Sequence, residues 1–183
     1  MSYWILPQIL TNELRDAALS GNELALPAEG LAALDRAQGT DQIAEWLRQL
    51  QPEATPERIT ALSEHYWYLG HHLLPEDIIV VRVREGSAYL IGEIAGVYRR
   101  VERPFGMAHV WPAKWLAVNI GTETAPALAQ YAGYESLTEI HDEHALICLK
   151  PYVPALRKGN TAFFKWLAII ILIFELIYFW PKE

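Results

Sequence analysis

The sequence predicts an α+β protein: a small, strongly curved sheet or β-barrel with flanking helices, followed by one C-terminal transmembrane helix. Residues 77–116 (DIIVVRVREGSAYLIGEIAGVYRRVERPFGMAHVWPAKWL) hold runs of β-branched and aromatic residues separated by turn signals. Strong helix starts at Thr11 and at Thr55-Pro56 precede that stretch without a regular strand–helix alternation. Residues 163–180 are apolar on every face, broken only by Lys165 and Glu175. The expected organisation is a recognition domain over 1–150, a linker over 151–162 and a transmembrane helix over 163–180.

Tyr3-Trp4-Ile5-Leu6 reads as a first strand closed by Pro7, and Thr11 caps a short helix that Gly21-Asn22 ends. Glu23–Leu26 reads as a short strand, and 30–38 is left open between helix and loop. Gly39-Thr40-Asp41 starts a helix with Ile43, Leu47 and Leu50 on one face. Thr55-Pro56 supplies a capping hydroxyl and then proline at the first helical position. The spacing of Ile59, Leu62, Tyr66, Leu69 and Leu73 then predicts the longest soluble helix. Ile78–Val83 and Tyr89–Ile94 are expected to pair as a hairpin about Glu85-Gly86-Ser87, with Gly92 and Gly96 marking a bulge or a close backbone approach. Val97–Glu102 continues the sheet. His109–Leu116 forms a further strand that Pro112 demotes toward an edge. Leu137–His141 is expected as a single helical turn and Ala145–Lys150 as the closing strand.

The tail 163–180 would form roughly 27 Å of helix at ~1.5 Å per residue, short but workable against a bilayer core of ~30 Å. Trp166 near one end, and Tyr178 and Trp180 at the other, match aromatic belts, and Lys165 can reach outward. Arg157, Lys158 and Lys165 before the span place residues 1–160 in the cytoplasm, in a tail-anchored topology at the inner membrane. Glu175 either reaches the headgroups or sits at a helix–helix contact, in a homo-oligomer or with a partner subunit.

The net charge of −7 argues against a protein that coats nucleic acid non-specifically. The charge is uneven, however. Residues 1–81 carry 4 basic and 12 acidic side chains, whereas 82–114 carry 6 basic (Arg82, Arg84, Arg99, Arg100, Arg103, Lys114) and 3 acidic ones. A basic patch on an acidic body can bind an anion, and a solvated strand face has the same composition. The one cysteine, Cys148, allows no internal disulfide and reads as a core residue of an apolar run.

Catalytic motifs are lacking: there is no phosphate-binding glycine loop, no zinc-type cysteine pair and no nucleophile elbow. No enzyme activity, cofactor or metal is expected. His141-Asp142-Glu143-His144 reads as a polar turn before a strand, and His71-His72 as complements to a helix dipole. The aromatic residues Trp4, Tyr66, Trp67, Tyr68, Tyr98, Trp111 and Trp115 come from different elements. Beside Arg99, Arg100 and Lys114 such rings could stack a base and neutralise a phosphate; most of them, Trp115 and Tyr66 above all, also suit a core.

From about Arg58 to Leu116 the chain resembles the N-terminal domain of Mrr-like restriction endonucleases and related defence proteins. The matching pieces are the helix ending near Tyr66-x-Tyr68, Glu76-Asp77-Ile-Ile-Val-Val, Tyr89-Leu-Ile-Gly92-Glu-Ile-Ala-Gly96-Val-Tyr98, and His109-x-x-x-x-Lys114-Trp115-Leu116. The opening Tyr3-Trp4-Ile-Leu also resembles the first strand of EVE and other PUA-like domains, and with a weaker match after Leu137 the resemblance extends over 1–150. Glu76 stands where the family carries glycine, and Val110, Trp111 and Pro112 stand where it tends to carry arginine. The resemblance implies a PUA/EVE-like barrel that binds nucleic acid, a modified base or a nucleotide, as part of a bacterial defence system. The ligand residues it points to are Trp4, Tyr66, Tyr98, Arg99, Arg100, His109, Trp111 and Lys114. Lys165, Trp166, Glu175 and Trp180 would meet membrane lipid or a second span. The alternatives are a ligand-activated membrane effector that oligomerises through its span, and a protein–protein adaptor.

Overall fold

The β-branched run Ile78-Ile79-Val80-Val81 lies inside a sheet and is buried along its whole length. The computed structural model describes residues 1–153 apart from 29, 84–87 and 135, and the backbone alone of 7–9, 132 and 133. Met1–Cys148 forms one compact unit. A second unit begins at Leu149 and is described as far as Val153.

In chain order the elements are β1 (Tyr3–Leu10), α1 (Asn12–Gly21), β2 (Glu23–Pro27), a 3-10 turn (Leu34–Arg36), α2 (Thr40–Leu50) and α3 (Pro56–His71). β3 (Ile78–Val83), β4 (Ala88–Ile94), β5 (Arg99–Arg103) and β6 (Gly106–Gly121) follow, then a 3-10 segment (Pro126–Gly133), β7 (Thr138–Glu139) and α4 (Glu143–Leu149). The helix starts are those read from the sequence. The Thr11 hydroxyl accepts the Leu14 N–H, the Thr55 hydroxyl accepts the Arg58 N–H, and Asn22 closes α1 in the left-handed region at φ 49°. α2 buries Ile43, Ala44 and Leu47, but Leu50, at its last position, is exposed. α3 turns Ile59, Tyr66 and Leu69 into a core shared with Leu24, Leu26, Leu34, Ile79, Val81, Leu90 and Trp111.

The strands form one mixed sheet in the order β2-β6-β4-β3-β1-β7, with β5 also paired to β6. β1 and β3 run parallel, and the other pairs are antiparallel. β6 serves both halves. Gly106–Pro112 lies between β5 and β2, and Ala113–Gly121 pairs with β4. Two register shifts against β4, with Asn119 at φ 55° beside one of them, let this long strand bend. Arg103 and Glu23 form a two-pronged ion pair, Nε–Oε1 2.8 Å and Nη2–Oε2 2.6 Å. Their ladder partners on β6, Gly106 and Pro112, would be ~20 Å apart in a straight strand. The sheet must therefore curl tightly about the small cluster of Ala25, Ala108 and Val110.

The expected fold class needs correction on two counts. The α+β composition and the strong curvature are present, but the sheet is open. Its ladder ends at β2 on one side and at the two-residue β7 on the other, and no pairing among the described residues joins them into a barrel. The membrane part of the expectation finds no support either: no helix of the described residues is long and apolar enough to cross a membrane. Residues 163–180, with Lys165, Trp166, Glu175 and Trp180, lie outside the described residues, as do Glu85-Gly86-Ser87, where a turn is expected.

Smaller expectations also change. Pro7 does not end β1; it falls where the register with β3 shifts, between Leu6 and Leu10, so it interrupts the ladder and not the strand. Pro112 is interior, not at an edge. It lies opposite the interval between β4 and β5, where the ladder is already broken, and its carbonyl accepts the Ala95 N–H at 2.7 Å. Residues 138–139 form a strand against β1, and 143–149 form a helix, because the Asp142 carboxylate accepts the Ala145 N–H at 2.8 Å and so caps it. Cys148 accordingly lies on a helix and is half-buried. The expected close approaches at glycine are real. A Cβ on Gly92 would stand 2.8 Å from the Trp115 ring, and one on Gly96 3.0 Å from Pro112.

The join between α3 and the sheet depends on Asp77, a buried carboxylate. It accepts N–H bonds from Ser2 (2.6 Å), Leu74 (3.0 Å) and the Trp4 indole (3.2 Å), tying the start of β1 to the start of β3. Glu76, just before it, sits at φ 73°, a conformation that favours glycine. Asp77→Ala, by orphaning these donors, should lower unfolding stability by about 3 kcal/mol. Glu76→Gly should raise it by about 1 kcal/mol through relief of the left-handed backbone. Urea unfolding of the two variants checks both signs.

Candidate functional site

β6 places His109 and Trp111 two residues apart, so both face the main core, and both are fully buried. Arg100 of β5 lies directly across the ladder from His109 and therefore on the same face. Tyr98, in the interval before β5, packs its ring against both: ring centroids are 5.8 Å from His109 and 5.1 Å from Trp111. α3 brings Tyr66 to 6.1 Å from His109 on another side. Five of the eight residues expected to bind ligand (Tyr66, Tyr98, Arg100, His109, Trp111) thus form one cluster around the first half of β6.

The other three do not join it. Trp4 is buried on β1, three strands or ~14 Å across the sheet from β6. Its indole is committed to Asp77, and its ring packs near Tyr68 at 6.3 Å. Arg99 pairs with Val110, and so belongs to the opposite face, where it is exposed. Lys114 is exposed beside Glu93. The basic patch of the sequence is therefore divided between two faces, and Arg103 is neutralised by Glu23. Trp115, expected in the core, is half-buried and donates its indole N–H to the Ala18 carbonyl at 2.9 Å.

A chain of hydrogen bonds sets the protons of the cluster. The Leu34 N–H donates to the Tyr98 oxygen at 3.0 Å, and the Tyr98 oxygen lies 2.8 Å from His109 Nδ1. Burial pushes the Tyr98 hydroxyl pKa up, so it keeps its proton. With the Tyr98 oxygen already accepting from Leu34, its hydroxyl is assigned as the donor to Nδ1, which puts the His109 proton on Nε2. Burial, with the nearby Arg100 charge, lowers the His109 pKa from 6.5 to about 4, so the ring is neutral at pH 7. Three N–H groups here are buried without a hydrogen-bond partner: His109 Nε2, Trp111 Nε1 and Arg100 Nε.

His65 was missed by sequence reasoning. It follows Leu62 by three residues and precedes Leu69 by four, a helical spacing that marks the buried stripe of α3. Its Nδ1 accepts the Leu137 N–H at 2.9 Å, its ring lies 5.3 Å from Tyr66, and burial lowers its pKa to about 4. The His141–Glu139 contact at 3.4 Å is exposed on the histidine side, and the described residues hold no group of three or more side chains suited to a metal ion. Comparison with protein-family models finds no match, and the curated proteins and the solved structures give none either.

Both buried histidines stay neutral in the folded protein down to about pH 4, whereas their ordinary value is 6.5. The unfolded chain therefore binds more protons between these limits, and stability falls as pH drops through that window and is level above it. Each histidine should remove about 2 kcal/mol between about pH 7.5 and about pH 5. Urea midpoints across this range check the slope, which His109→Gln should roughly halve.

Proposed function

We propose that Met1–Cys148 is a non-catalytic recognition domain that binds a nucleotide, or an unstacked base of a nucleic acid, at the cluster of Tyr66, Tyr98, Arg100, His109 and Trp111. The observation that carries this is the set of three buried N–H groups without acceptors, framed by two tyrosine rings. A buried donor left unmade costs about 1–3 kcal/mol, and a ligand with acceptor atoms would recover it. Rings beside the cluster supply stacking surface, and the half-buried Arg100 supplies positive charge toward phosphate. The resemblance to PUA/EVE-like domains of defence proteins points the same way. So does the left-handed Glu76, at the position where that family has glycine. A single cysteine suits the reducing cytoplasm, where nucleotides and nucleic acid are met.

A second function, as a protein–protein adaptor, is favoured by Phe105 and Met107, both exposed at the β5–β6 turn. Titration of the full chain with nucleoside monophosphates and short single-stranded oligonucleotides, followed by tryptophan fluorescence, separates the two. Binding that weakens at least about tenfold in Arg100→Ala and in Trp111→Phe supports the recognition domain. Absence of any binding, with a partner lost on Phe105→Ser, supports the adaptor.

A further inference from the structure

We infer that the cluster selects bases that present an oxygen acceptor at the ring edge, such as guanine, hypoxanthine or uracil, over bases that present an amino group there, such as adenine or cytosine. This rests on the base-binding function proposed above. An indole N–H and an arginine Nε–H can only donate, and with the Tyr98 hydroxyl assigned as the donor to Nδ1, His109 Nε2 is a donor too. The unpartnered buried side-chain atoms of this cluster are thus all donors. His109 and Trp111 share a strand face, and Arg100 stands across the ladder from His109, so the three line one side of the sheet.

Tyr98 and Arg100 are half-buried, and they are the members of the cluster that reach the surface. A base entering beside them would meet N–H groups. An oxygen at position 6 of a purine or position 4 of a pyrimidine accepts from them, whereas an amino group at the same position meets donor against donor and leaves both without a partner.

The test compares inosine with adenosine monophosphate, and uridine with cytidine monophosphate, by calorimetric titration of the full chain. Within each pair the ring and phosphate are shared, so stacking and charge cancel. The oxygen-bearing member should bind tighter by about tenfold or more. Gln brings an amide oxygen that can accept from the amino group. Arg100→Gln, at a half-buried position that spares the fold, and His109→Gln should therefore each bring the ratio toward one. Equal affinities within both pairs, or tighter binding of the amino bases, overturn the selectivity and leave base binding standing. A preference that survives in Arg100→Gln overturns its assignment to these donors. Failure of all four nucleotides to bind overturns the recognition function itself.

Discussion

The architecture depends on one constraint: β6 has to serve two ladders at once. Its first half is flanked by β5 and β2, and its second half pairs with β4. A straight strand cannot do this while the Arg103–Glu23 pair joins its two flanks, so the strand bends at register shifts and the sheet curls. The residues at the curl follow from that geometry. Small side chains (Ala25, Ala108) fill the tight face. Large rings (His109, Trp111) occupy the open face toward the helices, and Pro112 stands where the ladder has already parted.

On that open face the two kinds of buried polar group are treated differently. Asp77 is fully engaged: three N–H groups meet its carboxylate, and it joins β1, β3 and the end of α3. His65 is likewise paired with the Leu137 backbone. Around Tyr98, however, the hydrogen-bond chain from Leu34 ends at His109, whose Nε2, like Trp111 Nε1 and Arg100 Nε, has no acceptor. Engaged groups of the first kind specify the fold. Donors of the second kind cost stability in the free protein, a cost that the proposed ligand would offset.

Much of the local structure was legible. Thr11 and Thr55-Pro56 start helices because a hydroxyl that accepts an N–H acts within one turn of chain, whatever the remainder of the molecule does. The pairing of β3 and β4 was legible because the two strands adjoin in the chain, and Gly92 and Gly96 were legible as positions of close approach, although what they meet, Trp115 and Pro112, lies on β6. The C-terminal elements were misread. Residues 138–139 are too short a segment to declare themselves a strand, and it is their pairing with the edge of β1 that makes them one. The apolar run at 145–149 suits a strand or a helix equally, and the Asp142 cap decides between them. Of the candidate site, the rings were identifiable as types, but not which would meet. Trp4 and Trp111 look alike in sequence and lie three strands apart.

By itself, then, the sequence determined what short-range physics controls: helix starts, the strand-rich centre, the placing of its glycines, and the segregation of acidic and basic residues along the chain. Only the tertiary structure decided that the sheet stays open, that Arg99 and Arg100 face opposite ways, that Arg103 is spent on Glu23, and that His109, Trp111 and Arg100 share a face with Tyr98 and Tyr66. These outcomes depend on strand register and on curvature. A single-residue change of register reverses every side chain of a strand, and register is set by partners distant in the chain, which no local pattern encodes.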